Sequence, residues 1–178
     1  MRLSRSDALV IGDIVATAAR AEIMPRFLGI QSNAVREKLS TFDIVTDADE
    51  AAEREIAAGL SKAFPSALII GEEAAEKDPN LLGKIATADL AFIVDPIDGT
   101  KNFASGLPLF GVMVAATVRG EVVFGAIHDP VSRDGAFALR GEGAWLQGEE
   151  RPPSDLKVAP AVPAAQMHAE AGARGPVR

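Results

Sequence analysis

Apolar side chains near the amino terminus recur at mostly three- and four-residue steps. Leu9, Val10, Ile14, Val15, Ala18 and Ala21, followed by Glu22, predict an amphipathic helix over the first 24 residues, with Pro25 ending the pattern. A mixed stretch runs to Thr46. There Thr46-Asp47-Ala48-Asp49 resembles a helix capping box, with Asp49 in place of the usual glutamate. The helix it opens carries Ala52, Ile56 and Leu60 on one face and stops before Pro65. Its acidic opening (Asp47, Asp49, Glu50, Glu53) suits the positive end of a helix dipole.

From residue 67 the period changes. Ala67 to Ile70 is a short continuous apolar run that ends at Gly71-Glu72-Glu73, and Ala91 to Val94 is a second that ends at Asp95-Pro96. Both predict buried strands that deliver carboxylates at their carboxyl ends. Beyond residue 109 the text is β. Leu109 to Val118, Val122 to His128 and Ala136 to Leu139 are separated by Arg119-Gly120 and by Asp129-Pro130 with Arg133-Asp134-Gly135. Helices followed by an antiparallel meander give an α+β class, with amino-terminal helices packed on a largely antiparallel sheet. No internal repeat is present. We therefore divide the chain into an active-site domain over 1–148 and a Pro/Ala/Gly-rich tail over 149–178, expected to be poorly ordered.

Composition narrows the function classes. A chain of 178 residues with 48% hydrophobic and 24% charged residues is long enough to bury a core. The net charge of −7 argues against a nucleic acid polymer or an anionic membrane as partner, but not against a small phosphorylated molecule met through a cation. The absence of cysteine removes disulfides, thiolate-bound zinc and a Cys nucleophile. No apolar run approaches the roughly 18 residues of a membrane span, and the opening residues lack the apolar core of a secretory signal. A cytoplasmic location is the expectation.

The richest chemistry lies in Asp95-Pro96-Ile97-Asp98-Gly99-Thr100, followed by Lys101-Asn102-Phe103. Two carboxylates flank a turn that follows a buried strand, and Gly99-Thr100 can open a helix or tight turn whose backbone amides face an anion. Oxygen ligands on such a turn suit Mg2+ or Mn2+ better than zinc. Glu72, at the end of the other strand, is the natural third carboxylate. Asp95 is the best bridging ligand, and Thr100 with Glu72 or Asp49 is placed to orient a water. Asp-Pro and Asp-Gly are also ordinary turn dipeptides, so each segment alone has a purely structural reading. Other metal and phosphate motifs fail on spacing. An EF-hand counted from Asp95 would place Ile97 third and Gly106 twelfth, where an acidic residue and a glutamate are needed. A haloacid-dehalogenase nucleophile motif has one residue between its aspartates, whereas two stand between Asp95 and Asp98.

The segment Asp95 to Thr100 with Asn102-Phe103 resembles the signature of the inositol monophosphatase family. Lys38, Asp43-Ile44-Val45-Thr46, Asp49, Glu53, Phe64-Pro65, Gly71-Glu72-Glu73, Pro108 and Gly141-x-Gly143-Ala144 fall in that family's order over roughly residues 7–160. The resemblance implies hydrolysis of a small phosphomonoester by water activated between metal ions, within a layered αβαβα fold. It places Glu72, Asp95 and the Ile97 carbonyl on a first metal, and Asp95 and Asp98 on a second. By the same resemblance the amides of Gly99 and Thr100 hold the phosphate. Thr100, Glu72 and Asp49 act on the water, and Lys38 lies in a loop near the site. Two or three Mg2+ ions, with Mn2+ as a substitute, a small phosphorylated metabolite as partner and a homodimer are further implications. Histidinol phosphate and 3′-phosphorylated nucleotides are alternative substrates. The family's second half carries a Trp-Asp pair that supplies another ligand. The only tryptophan here, Trp145, is followed by Leu146. We therefore expect an incomplete member of the family, with a fragment that binds metal or a partner without turnover as the non-enzyme alternative.

The remaining candidates read as structural. His128 and His168 have no ligand spacing, Phe103 and Phe110 suit aromatic packing, Gly141-Glu142-Gly143 reads as a turn, and Lys101 as an exposed side chain.

Overall fold

The computed structural model describes residues 2–31 and 41–157, without the side chains of 30, 31 and 41–46. Lys38, His168 and the part of the tail beyond residue 157 lie outside the described residues.

The chain opens with α1 (Arg5–Ala18), where Ser4 and Asp7 form a reciprocal capping box. A π-helical turn (Ala19–Ile23) leads into α2 (Met24–Gln31). The helix thus continues through Pro25 instead of ending there. The Met24 N–H reaches back to the Ala19 carbonyl across the widened turn. A proline, which has no N–H to contribute, is tolerated at such a break in the ordinary ladder.

The buried stripe also differs from the expected one. Ala8, Ile11, Val15, Ala18, Ala19 and Ile23 are buried, whereas Leu9 and Val10 are each 45% exposed. Leu9 and Val10 lie on the exposed side with Ser6, Asp13, Thr17 and Arg20, so apolar spacing alone did not single out the inward face and packing against the sheet and the next helix chose it.

That next helix, α3 (Thr41–Ala63), begins before Thr46, so the expected capping box is not its start. Asp47, Asp49, Glu50 and Glu53 sit beyond its first turn, where the dipole argument no longer applies. They are used individually: Glu50 pairs with Lys77 at 2.9 Å, while Asp49 is buried. The expected face of Ala52, Ile56 and Leu60 is fully buried, and the helix stops before Pro65.

Next come β1 (Leu68–Gly71), the short helices α4 (Glu72–Lys77) and α5 (Asn80–Gly83), β2 (Ala91–Asp98) and α6 (Thr100–Ala104). The meander follows: β3 (Gly111–Val118), β4 (Glu121–Asp129), β5 (Asp134–Leu139), β6 (Gly143–Gly148) and β7 (Ser154–Leu156). The seven strands form one sheet in sequential order, with β1 and β2 parallel and every later pair antiparallel. This is the expected α+β class. Two strands escaped the sequence pattern. β6 follows directly on the Gly141–Gly143 turn, and β7 lies within the segment assigned to the tail, where it pairs with the outer edge of β6.

The helices cover one face of the sheet. Phe92, Val94, Val114, Phe124, Phe137 and Trp145 point into that core. Phe27, Phe103 and Phe110 close its end near the site, with ring centroids 4.8 to 5.5 Å apart. Phe103 and Phe110 therefore pack as expected, and Phe103→Ala should destabilise the fold by about 3–5 kcal/mol. Denaturant unfolding checks this, and a loss below about 1 kcal/mol would show that the aromatic cluster is not part of the cooperative core.

The opposite face is open. A groove of about 490 Å3 crosses it, lined by side chains that include Ile93, Met113, Ala115, Ile127, Ala138 and Leu156. Among the described residues, no helix is long and apolar enough to cross a membrane.

Candidate active site

The site is built by the one parallel pair in the sheet. Gly71 of β1 stands opposite Val94 of β2, so the residues that follow, Glu72 and Asp95, emerge side by side. Their carboxyl groups stand close enough for each to shift the other's pKa. β2 then slips register against β3: Asp95 pairs with Met113, but Asp98 pairs with Gly111. The extra residue resets the strict alternation that would otherwise send Asp95 and Asp98 to opposite faces. Asp98 consequently acts electrostatically on both Asp95 and Glu72.

Gly99 makes the turn out of β2. Its φ is +95°, and a Cβ there would lie 2.8 Å from the Leu109 carbonyl oxygen. Only glycine meets both demands. Gly99 caps α6, whose first amides have no partner within the helix. The Thr100 hydroxyl donates to the Ile97 carbonyl at 3.1 Å, and the Asn102 amide donates to the Leu109 carbonyl at 2.7 Å. The turn is therefore tied on both sides.

Asp49 approaches from α3 and is only 7% exposed. Burial first, then the charges of Glu73, Glu72, Asp95 and Glu53, push its pKa up to about 8. Burial also raises Glu72, with the Asp95 charge adding to it. Asp95 is raised mainly by burial, against the lowering effects of its contact with Glu72 and of the Ile97 N–H. Its Oδ1 is buried without a hydrogen-bond partner.

Of the residues singled out in the sequence, Glu72, Asp95, Ile97, Asp98, Gly99 and Thr100 thus meet at one end of the sheet, with Asp49 facing them. Ile97 contributes its carbonyl, because its side chain is buried in the core. His128 is buried in β4, as a structural role requires. Glu53 stands in the sequence as one of the positions in the family's order and as part of an acidic helix, but neither signal says what it does. Its carboxylate accepts the amides of Glu73 and Ala74 across the gap between α3 and α4.

Among the described residues, no group of three or more His, Cys, Asp or Glu side chains is gathered to hold a metal ion. The paired Glu72 and Asp95, with an orphaned carboxylate oxygen, nevertheless fit a hard cation of the Mg2+ type. Such an ion keeps several waters and typically takes one or two protein carboxylates together with substrate phosphate.

Several known proteins are similar to this chain. Nus factor SuhB of Pseudomonas aeruginosa is 41% identical over 106 residues, which are 60% of this chain and 38% of that protein. The fructose-1,6-bisphosphatase/inositol-1-monophosphatase of Thermotoga maritima is 38% identical over 115 residues, 65% of this chain and 41% of its own. Among solved structures, Mycobacterium tuberculosis SuhB superposes with a TM-score of 0.66 at 29% identity, covering 88% of this chain and 53% of that one. The chain thus spans about two-fifths of the length of the curated relatives it matches. The model of the inositol monophosphatase family matches residues 8–173, past the limit of 160 read from motifs. The chain belongs to the inositol monophosphatase family.

Proposed function

We propose that this chain carries the active-site part of a Mg2+-dependent phosphatase that hydrolyses a small phosphomonoester. The observation that supports it most is the convergence of Glu72 and Asp95 at the ends of two parallel strands, with the buried, unpartnered Asp95 Oδ1 beside the Gly99–Thr100 turn. On this reading Glu72, Asp95 and the Ile97 carbonyl hold one cation, and Asp95 with Asp98 holds a second. The metal, when bound, neutralises phosphate oxygens and lowers the pKa of a water. The chain's own groups do the rest. The amides that open α6 receive the phosphate. The Thr100 hydroxyl, which donates its own hydrogen to the Ile97 carbonyl, keeps lone pairs that can accept a hydrogen bond from the water and so orient the O–H whose proton is to be removed. Asp49, with a pKa of about 8, titrates in the range useful for taking up that proton.

The test is phosphate release by the full chain, with and without Mg2+, from a panel of inositol, fructose, histidinol and 3′-nucleotide phosphates. Asp95→Asn serves as the control for contaminating phosphatase. Metal-dependent release that the control loses supports the reading and ranks the substrates. A folded chain without release overturns it. Thr100→Ala should reduce turnover by about 10²-fold while leaving Mg2+ affinity nearly unchanged; an equal loss in both would tell against a role on the water.

A second reading is metal binding without turnover, for which the paired Glu72 and Asp95 carboxylates would suffice. On that reading Mg2+ raises the melting temperature while the whole substrate panel stays intact.

A further inference from the structure

Glu72 is only as well placed as the first turn of α4, and that turn has no cap of its own. The residue at its N-cap is Gly71, which offers no side chain. The cap comes instead from α3. Glu53 Oε2 accepts the Glu73 N–H at 2.8 Å, and Oε1 accepts the Ala74 N–H at 3.2 Å. These are charge-assisted bonds to the electropositive start of a helix.

We infer that Glu53 is a positioning residue whose carboxylate clamps α4 and thereby sets where Glu72 stands relative to Asp95 and Asp49. This rests on the phosphatase reading for its kinetic consequence alone.

Gly71 supplies the independent observation. Its backbone, φ −92° and ψ 165°, is open to any residue, so conformation does not require glycine here. Space does. A Cβ at 71 would lie 2.0 Å from the Glu53 carboxyl carbon and 2.2 and 2.4 Å from its oxygens. The carboxylate occupies the volume that a side chain at 71 would need, so Glu72 is held on both flanks, by contact at 71 and by hydrogen bonds at 73 and 74.

The placement also carries an electrostatic penalty, because Glu53 is one of the charges that raise Asp49. A neutral residue would avoid that penalty but would bind the two amides less strongly. Glu53 lies one helical turn beyond Asp49, so a single face of α3 both presents Asp49 and fixes the distance to α4.

The experiment compares the full chain with Glu53→Ala, Glu53→Gln, Gly71→Ala and the Glu53→Ala/Gly71→Ala double variant. Amide hydrogen exchange at Glu73 and Ala74 is read first. Glu53→Ala should expose both amides. Glu53→Gln, which keeps one acceptor oxygen, should restore part of the protection. With Mn2+ as the probe, Glu53→Ala should weaken metal binding about 10- to 100-fold, the usual loss when a ligand's support is removed. In turnover, kcat should fall with KM little changed. Gly71→Ala should lower the melting temperature of the wild-type chain but have little effect in the Glu53→Ala background, where the space has been freed.

Unchanged exchange at both amides in a cooperatively melting Glu53→Ala chain overturns the inference. So does a Gly71→Ala penalty of equal size in both backgrounds. If the wild-type chain releases no phosphate, the phosphatase reading fails, and the exchange and double-variant results still decide the clamp.

Discussion

Asp95→Asn is expected to abolish metal-dependent phosphate release while raising the melting temperature of the metal-free chain. The two effects have one source. Asp95 is the shared oxygen donor of the proposed centre, and several kcal/mol of transition-state stabilisation depend on the charge held there. Losing about 4 kcal/mol corresponds to about three powers of ten in rate. Without a cation the same carboxylate is a liability, because Oδ1 is buried without a partner and Glu72 and Asp98 stand close. A buried polar atom left unsatisfied costs about 1–3 kcal/mol. Asparagine removes the charge and offers Glu72 an N–H. Each kcal/mol recovered moves the melting temperature of a chain this size by about 2–4 °C. Melts in EDTA and in Mg2+, run beside the phosphate assay, check both halves. Retained turnover would remove Asp95 from the metal centre, and a lower melting temperature in EDTA would refute the strain assigned to its carboxylate.

The metal-free chain is also expected to lose stability as pH rises from about 4 to about 8. Asp49 ionises near pH 3.8 when unfolded and near 8 when folded, so across that window the folded state holds a proton that the unfolded state has released. Stability then falls with pH, by up to about 1.4 kcal/mol per unit for a single such group. The contribution is fully present below the unfolded pKa and is lost as pH passes the folded one. Glu72 and Asp95, also raised, act with the same sign. His128 acts oppositely. Burial lowers its pKa, so its contribution is present above the unfolded value near 6.5 and is lost as pH falls through the folded value. Asp49→Asn should flatten the slope between pH 5 and 8, as read by denaturant midpoints in EDTA. A slope the same in both chains would show that Asp49 is not the group that holds the proton.

Much of this site was legible along the chain because its parts are local. In the continuous apolar run Ala91 to Val94 all but Ile93 are buried, and the polar residues after it emerge at the strand end. Asp-Gly-Thr then has to turn, because the backbone at Gly99 takes a conformation that side chains disfavour. Glu72 and Asp95 were therefore recognisable as a pair before their strands were known to be parallel neighbours.

The structure adds what depends on distant segments. Which face of α1 points inward depended on the sheet and α3 laid against it, since Leu9 and Ile11 are equally apolar. The helical backbone of α3 before Thr46 and the passage through Pro25 both run against the capping and proline signals, and at Pro25 the widened π-helical turn is what accommodates the ring. β7 became a strand because the edge of β6 was there to pair with it. Glu53, whose place in the family's order was legible but whose use was not, acquires its role only through amides some twenty residues away. The sequence by itself determined the strand-end carboxylates, the glycine turn and the α+β order, because burial period and turn chemistry act between neighbours. Tertiary structure alone decided the inward face of α1, the clamp on α4 and the raised pKa of Asp49, because each arises from groups that meet only when the chain is folded.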